Sequence, residues 1–287
     1  MRSWLFVPGD SERKQARALG GPADALILDL EDSVAAAQLP AARQRVAGVL
    51  RARDRANPQQ LWVRVNPPSG PLFEADVEAV VEAGPDGLVL PKVSSTEEIA
   101  AVVQRLGPHS RIKLLVIATE TPRALLTLGH WNLEGLAGRL GGLTWGMEDL
   151  GTALGAIGKR EADGSLAFTF QLARSTCLLA AAAAGVQAVD SIYADFRDGE
   201  GLAREAAKAR RDGFTGKLAI HPDQVAAINA AFTPTAAEVE WARKVVAAFA
   251  AQHQAGVTSL DGQMLDRPHL VQAQRLITLA QRGEAAS

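Results

Sequence analysis

The sequence lacks the features of membrane, extracellular and nucleic-acid-binding proteins. Its single cysteine, Cys177, can form neither an intramolecular disulfide nor a thiolate metal cluster. No apolar run is long enough to span a bilayer, because Arg174 and Gly185 interrupt the alanine-rich stretch near Ala180. The formal net charge of -2 supplies no basic field for nucleic acid or anionic membranes. We therefore expect a soluble protein of a reducing compartment, the cytoplasm, that binds neither nucleic acid nor membrane.

Short apolar runs rich in β-branched residues alternate with longer segments at helical spacing, a pattern typical of βα units. Strands are predicted near 3–8, 24–31, 61–66, 87–92, 113–119, 142–147, 188–194 and 216–220. Helices are predicted near 11–20, 34–53, 73–83, 95–106, 121–128, 168–185, 198–212 and 222–231. Eight strands favour a closed α/β barrel, the (β/α)8 TIM barrel, over an open sheet.

A C-terminal helical extension should follow the barrel. We predict a barrel domain over residues 1–232 and an extension over 233–287, with amphipathic helices near 235–254 and 268–282. Residues 256–266 between these helices read as a short strand or an extended link. An apolar helical appendage needs a surface to cover, which belongs either to its own barrel or to that of a neighbouring subunit.

Charged residues gather where the predicted strands end. Active sites of such barrels lie at the carboxyl ends of the strands. The residues found there are Asp29, Glu31, Asp32, Arg64, Asn66, Lys92, Glu120, Glu148, Asp149 and His221. Several carboxylates at one place suit Mg²⁺, which takes one or two of them and leaves its other positions to water and substrate.

Glu120 and Asp149 are the predicted metal ligands, because they end neighbouring strands. Glu148 and Asp149 are consecutive on a strand-like segment, so they should point to opposite faces and only one can bind the metal. An alternative is that Glu120 caps the helix after it and that Glu148 and Asp149 cap the next one, since helix N-termini favour acidic residues.

Basic residues near the strand ends allow more than one chemistry. Arg64 lies between apolar neighbours and can grip a carboxylate in two parallel hydrogen bonds, or it can pair with Glu31 or Asp32. Lys92 could form a Schiff base with a keto acid, although the surrounding acids favour an ion-pairing role. Arg13 and Lys14 on the first helix can receive phosphate or form a solvated face.

Nine short motifs spread over nearly the whole chain carry a family resemblance. They are LFVPG (5–9), ILDLEDSV (27–34), VRVN (63–66), LPK (90–92), ET (120–121), GMEDL (146–150), IYAD (192–195), GKLAIHP (216–222) and GQMLD (262–266). In this order they resemble the signature of the citrate lyase beta subunit and malyl-CoA lyase superfamily. The resemblance implies a magnesium-dependent TIM barrel that cleaves or forms a carbon–carbon bond between a 2-oxo acid and an acyl thioester.

The resemblance also assigns roles to residues. It implies Glu120 and Asp149 as ligands of Mg²⁺ and Arg64 as the clamp on the 2-oxo acid carboxylate. Arg13 and Lys14 would meet coenzyme A phosphates, and Asp266 of a neighbouring subunit would protonate the enolate. The supporting residues around the metal are Asp29, Glu31, Asp32, Glu148 and Lys92, with Glu31 and Asp32 next to metal-bound water. The extension would then be a lid, and the active unit a homo-oligomer, a trimer or a hexamer.

The expected function is cleavage of a citryl-like 3-hydroxyacyl thioester to an acetyl thioester and oxaloacetate or another 2-oxo acid. The thioester partner is either acyl-CoA or an acyl carrier. Alternatives on the same barrel are a malyl-CoA or citramalyl-CoA lyase, a malyl-CoA thioesterase and a malate synthase-like condensing enzyme. A Schiff-base aldolase that uses Lys92 and a non-catalytic subunit are further alternatives.

Overall fold

The computed structural model of the chain describes residues 1–136, 138–251 and 256–284. It contains two compact units: the first is Met1–Asn229, and the second begins at Ala230. Each unit has its own buried core. Within the described residues, no helix combines the length and the apolar character needed to cross a membrane.

The first unit is a closed barrel of eight parallel strands. The strands are β1 (Ser3–Pro8), β2 (Ala25–Asp29), β3 (Gln60–Arg64), β4 (Gly87–Leu90), β5 (Lys113–Ile117), β6 (Leu140–Thr144), β7 (Gln187–Asp190) and β8 (Gly216–Ala219). Neighbours in sequence pair with one another, and β1 closes the barrel by pairing with β8. Every predicted strand overlaps an observed one, and the predicted TIM barrel is confirmed.

Helices connect successive strands, as parallel pairing requires. They are α1 (Glu12–Ala18), α2 (Leu39–Ala52), α3 (Phe73–Val80), α4 (Thr96–Leu106), α5 (Pro122–Thr127), α6 (Met147–Leu154), α7 (Phe168–Ala183) and α8 (Gly199–Asp212), and α9 (Asp223–Phe232) follows β8. Hydroxyl residues begin several of them. Ser11, Ser95 and Thr121 each accept a hydrogen bond from a backbone N–H of the first turn, so these helices start where the sequence provides a cap.

One boundary differs from the prediction in a way that shapes the site. β6 ends at Thr144, and α6 begins at Met147 after Gly146 in the N-cap position. Glu148 and Asp149 therefore lie in the first turn of a helix, and the prediction that they follow one another along a strand is wrong. The physical reason is that two consecutive acids are favoured at the positive end of the helix dipole and disfavoured in a strand.

Apolar side chains fill the barrel interior. Trp4 and Trp62 meet edge to face, with ring centroids 4.9 Å apart. Gly87 and Gly141 lie so close to the Trp62 ring that a Cβ atom at either position would overlap it. The two glycines thus make room for the largest side chain of the core. The barrel interior around Trp4 and Trp62 is therefore tightly packed with apolar side chains. The polar groups of the cavity lie at the carboxyl ends of the strands.

The second unit contains two helices and a hairpin: α10 (Ala236–Ala251), β9 (Val257–Leu260), β10 (Gln263–Asp266) and α11 (Arg267–Glu284). The predicted extended link is thus an antiparallel hairpin. Its turn residues, Asp261 and Gly262, both have positive φ, as a tight two-residue turn requires. The core of the second unit is formed by Ala242, Val245, Leu265 and Ala273. The end of the predicted helix 235–254 falls on residues 252–254, which lie outside the described part.

Candidate active site

A cavity of about 670 Å³ opens at the carboxyl ends of the barrel strands. Its polar lining comes from the strand ends, from α1 and from the first turn of α6, whereas Phe6, Ile117, Ile192 and Leu218 provide an apolar floor. The polar lining includes Arg13, Lys14, Arg17, Asp29, Asp32, Arg64, Glu120, Glu148 and Asp149. The structure therefore brings most of the predicted site residues of the barrel to one place. Glu31 and Lys92 adjoin them, and Asp266 belongs to the second unit.

Arg64, at the end of β3, is gripped by Asp29 at the end of β2. The Nε–Oδ1 distance is 2.6 Å and the Nη2–Oδ2 distance is 2.7 Å, a parallel two-point ion pair. Nη1 also lies 2.9 Å from Glu31 and 3.6 Å from Asp32. Burial alone would raise the pKa of Asp29, but Arg64 holds that pKa below its usual value. A guanidinium carries five N–H donors, so Arg64 keeps donors for a substrate carboxylate.

Lys92 is the cation at the centre of the remaining acids. Its ammonium group forms an ion pair with Glu31 and lies 3.4 Å from Asp32 and 3.3 Å from Asp149. Burial would lower the pKa of Lys92, yet the hydrogen bond and the charge of Glu31 raise it above its ordinary value. The ammonium therefore stays protonated, which opposes the Schiff-base alternative.

Glu120 is a buried carboxylate of the cavity, with 5% of its surface exposed. Its Oε2 accepts a 2.6 Å hydrogen bond from the backbone N–H of Lys92. Among the described residues, no basic side chain forms an ion pair with it. Burial, together with the nearby charge of Asp149, raises the pKa of Glu120 to about 8. Glu120 is not a helix cap, because Thr121 caps α5.

Glu148 and Asp149 diverge from the start of α6. Asp149 faces Lys92, whereas Glu148 forms an ion pair with Lys159. Consecutive helical residues are about 100° apart around the axis, so only one of them turns toward Glu120. That only one member of this pair can bind the metal stays a prediction, and helical geometry replaces strand alternation as its reason.

The donor set fits a hard divalent cation. Glu120 is a buried carboxylate that lacks a cationic side-chain partner, and Gly146 lies against it. A Cβ atom at Gly146 would come within 2.9 Å of Oε1 of Glu120, so the absence of a side chain at Gly146 leaves the space that this carboxylate occupies. No cluster of three potential ligands occurs among the described residues. Two carboxylates with water and substrate in the other positions suit Mg²⁺.

Sequence comparison matches the chain to a known family. A family model described as "HpcH/HpaI aldolase/citrate lyase" matches residues 2–222. The chain belongs to the HpcH/HpaI aldolase/citrate lyase family. A second model, described as a C-C bond lyase of the TIM-barrel fold, matches residues 171–282 and so includes most of the second unit.

Proteins similar to this chain differ in the reaction named for them. The mitochondrial citramalyl-CoA lyase of Rattus norvegicus is 35% identical over 97% of this chain and 86% of its own length. A (3S)-malyl-CoA thioesterase of Cereibacter sphaeroides is 37% identical over 98% of this chain and 94% of its own. The crystal structure of CitE from Mycobacterium tuberculosis with magnesium, acetoacetate and coenzyme A matches with a TM-score of 0.79 at 34% identity, covering 98% of both chains.

Basic residues of α1 form one side of the cavity in this family member. Arg13, Lys14 and Arg17 are exposed and line the cavity. The buried side chain of Gln15 donates hydrogen bonds to the carbonyl oxygens of Pro8 and Gly9, which fixes α1 to the end of β1. His221 lies at the same rim and stacks on Phe196, with ring centroids 4.6 Å apart, as expected for a packed histidine.

Asp266, the predicted proton donor, ends β10 in the second unit. Its Oδ1 lies 2.5 Å from Nδ1 of His269, in the first turn of α11. This hydrogen bond holds the pKa of Asp266 below its usual value. Sequence reasoning did not single out His269, although its spacing of three residues from Asp266 at a helix start is a readable signal.

A charged network behind the barrel wall was also missed. Lys217 on β8 is fully buried and contacts Asp190 at 3.0 Å and Glu205 at 2.9 Å. Asp190 accepts a 2.7 Å hydrogen bond from the indole N–H of Trp145, which lines the cavity just before Gly146. No sequence signal distinguishes these charges from solvent-exposed ones, because a strand pattern does not show which polar residue faces the helices.

Proposed function

We propose that this chain is a Mg²⁺-dependent carbon–carbon lyase that cleaves a 3-hydroxyacyl thioester to an acetyl thioester and a 2-oxo acid. One observation carries the proposal: unbroken contacts run from Arg64 through Glu31 and Lys92 to Glu120 and Asp149 at the mouth of one cavity. The chain thus places a carboxylate-binding guanidinium beside a pair of oxygen ligands. Relatives named for lyase and thioesterase reactions of such thioesters support this reading.

The reaction has three requirements. A base must take the hydroxyl proton, the electron pair of the carbon–carbon bond must pass to the thioester as an enolate, and an acid must then protonate the enolate carbon. Mg²⁺ held by Glu120 and Asp149 would polarise the oxygen of the emerging ketone. The free donors of Arg64 would hold the adjacent carboxylate, and Asp29 fixes the orientation of that guanidinium.

The final proton is assigned to Asp266 of a neighbouring subunit. Hydrogen bonding to His269 lowers the pKa of Asp266, so in the isolated chain this carboxylate is ionised near neutral pH and holds no proton to donate. Burial of Asp266 in the cavity of a neighbouring subunit would raise that pKa, because loss of water disfavours the charged form. The proposal therefore includes a homo-oligomer, a trimer or a hexamer, in which the second unit acts as a lid.

The thioester partner is proposed to be a coenzyme A ester. Arg13 and Lys14 lie at the rim of the cavity, where they would meet its phosphates, and the CitE structure with coenzyme A supports this choice over an acyl carrier. Because Cys177 is buried and is the sole cysteine, we propose a reducing compartment, the cytoplasm, as the location.

The test is a panel of citryl-CoA, citramalyl-CoA and malyl-CoA, assayed with Mg²⁺ and with EDTA. We expect acetyl-CoA and a 2-oxo acid from at least one of them, with loss of activity in EDTA and in the Glu120→Gln and Asp149→Asn variants. Glu74→Gln, an exposed acid that pairs with Arg105 outside the cavity, is the matched control. If none of the three esters is cleaved in the presence of Mg²⁺, the proposal is wrong.

A malyl-CoA thioesterase is the second candidate, since a relative of that name covers nearly the whole chain. The same assay separates the two reactions by their products. Thioester hydrolysis yields free malate and coenzyme A, whereas carbon–carbon cleavage leaves the thioester bond intact in acetyl-CoA.

A further inference from the structure

Lys92 contacts both proposed metal ligands, one through its backbone and the other through its side chain. Its backbone N–H donates to Oε2 of Glu120 at 2.6 Å, and its ammonium nitrogen lies 3.3 Å from Oδ1 of Asp149. The same ammonium forms an ion pair with Glu31. A single residue at the end of β4 thus connects carboxylates from the ends of β2 and β5 and the start of α6.

The backbone of Lys92 is in an unusual conformation. Its φ is +54°, in the left-handed region that a residue with a Cβ atom rarely adopts. In this conformation the N–H points to Glu120 while the side chain turns back toward Glu31 and Asp149. Such conformations persist where the surrounding contacts impose them, and they cluster at functional sites.

The charge balance around Lys92 indicates what its ammonium does. Arg64, the other cation of the cluster, is held in a two-point ion pair by Asp29. Lys92 shares Glu31 with Arg64, which lies 2.9 Å from it, and it is the cation that lies against Asp149. A divalent cation at Glu120 and Asp149 would lie close to this ammonium, and two like charges a few ångströms apart repel strongly in a partly buried site.

We propose that Lys92 is a positioning residue that acts through both its backbone and its side chain. Its backbone N–H fixes the carboxylate of Glu120, and its ammonium holds Asp149 in place until Mg²⁺ takes that carboxylate over. The lysine is a resident counter-cation that competes with the metal for Asp149. This inference rests on the proposed metal site, although not on the identity of the substrate.

The competition makes an unusual prediction, because removing a residue of the site should strengthen metal binding. Mg²⁺ affinity is measured by titration calorimetry on the full-length chain for wild type, Lys92→Met and Lys92→Gly. Glycine accepts the left-handed backbone without strain, so it keeps the N–H toward Glu120 while removing the charge. We expect Mg²⁺ to bind about tenfold more tightly or better in both variants, because the repulsion and the competing ion pair are gone.

Two controls accompany the titration. Lys92→Arg keeps the charge and should stay near the wild-type affinity. Lys113→Met removes the same charge at the start of β5, the opposite end of the barrel, and should leave Mg²⁺ affinity unchanged. A residue that only supports the fold would give weaker binding when replaced, so unchanged or weaker Mg²⁺ binding in Lys92→Met and Lys92→Gly overturns the inference.

A second measurement uses the wild-type chain. The side-chain ammonium signal of Lys92, assigned by its loss in Lys92→Arg, should shift in the NMR spectrum on addition of Mg²⁺, while that of Lys113 should not. A Lys92 ammonium signal that does not change when Mg²⁺ binds would contradict the proposed displacement of this ammonium from Asp149. If the wild type binds no Mg²⁺ at all, the proposed metal site itself fails, which is a separate result.

Discussion

At the scale of single residues, Gly146 shows how a missing side chain shapes a site. Glu120 could be predicted from the sequence as a polar residue that ends a buried strand. The need for glycine at position 146 could not, because it arises from a contact between residues far apart in the chain. Asp149 was predicted from the strand pattern and the family motif, yet its orientation comes from the first turn of a helix.

Replacing Gly146 with alanine should weaken Mg²⁺ binding. The new methyl group would come within 2.9 Å of Oε1 of Glu120 and closer still to its Cγ, so the carboxylate must move. The backbone at position 146, with φ -115° and ψ 119°, suits alanine, and the fold should persist. We expect the dissociation constant for Mg²⁺, measured by calorimetry, to rise by about 10- to 100-fold, as is usual when a ligand's support is disturbed.

Gly48→Ala is the matched control for this change. A Cβ atom at Gly48, within α2, meets no other atom within 4 Å. Its Mg²⁺ affinity should equal that of the wild type. An equal affinity in Gly146→Ala as well would show that Glu120 tolerates the methyl group or does not bind the metal.

At the scale of elements, alternating short apolar runs and helical segments were sufficient to predict all eight strands and most helices. The exceptions lie at the carboxyl ends of β6 and β7. α6 was missed because Trp145-Gly146-Met147 continues the apolar run of β6, and β7 ends at Asp190, before its predicted end. The family motifs provided the site residues of the barrel, but not the charged network behind its wall.

That network should make the stability of the protein sensitive to acid. Burial alone would raise the pKa of Asp190, but Lys217, Arg174 and a hydrogen bond from Trp145 lower it overall. Because the folded pKa lies below the unfolded value of about 3.9, this stabilisation is fully present above that value. It is lost as the pH falls through the folded pKa, so the free energy of unfolding should be steady near neutrality and should drop below about pH 4.

Urea unfolding at a series of pH values, with wild type and Asp190→Asn, checks this expectation. The variant should lose about 3–5 kcal/mol at pH 7, the usual cost of breaking a buried ion pair, and should show a shallower decline in acid. Asp54→Asn, at an exposed loop carboxylate that accepts a hydrogen bond from Ala56, should behave as the wild type does. Parallel acid profiles for wild type and Asp190→Asn would refute the assignment.

At the scale of the whole molecule, the proposed lid makes activity a property of two chains. If Asp266 serves a neighbouring subunit, the Glu120→Gln and Asp266→Asn proteins should each be inactive alone and should restore one another in mixed oligomers. In a random equal mixture, half of the cavities have an intact Glu120 and half of these receive an intact Asp266. We expect roughly a quarter of wild-type activity after subunit exchange in a closed ring.

The control mixture combines the Glu120→Gln/Asp266→Asn double variant with Asp266→Asn, which supplies no intact Asp266 and should stay inactive. Subunit exchange is verified with a size-tagged copy. Failure to regain activity in verified mixed oligomers would place Asp266 in its own chain's site or remove it from the reaction.

The burial of Cys177 in α7 has a practical consequence for studying that lid. Burial raises the pKa of the Cys177 thiol, so the native protein offers no accessible thiolate to a labelling reagent. A cysteine introduced at Met264, which is 73% exposed on the hairpin, would then be the single reactive thiol of the folded chain. The protein is thus a natural cysteine-silent background, in which one spin label or fluorophore per subunit can report where the hairpin lies during turnover.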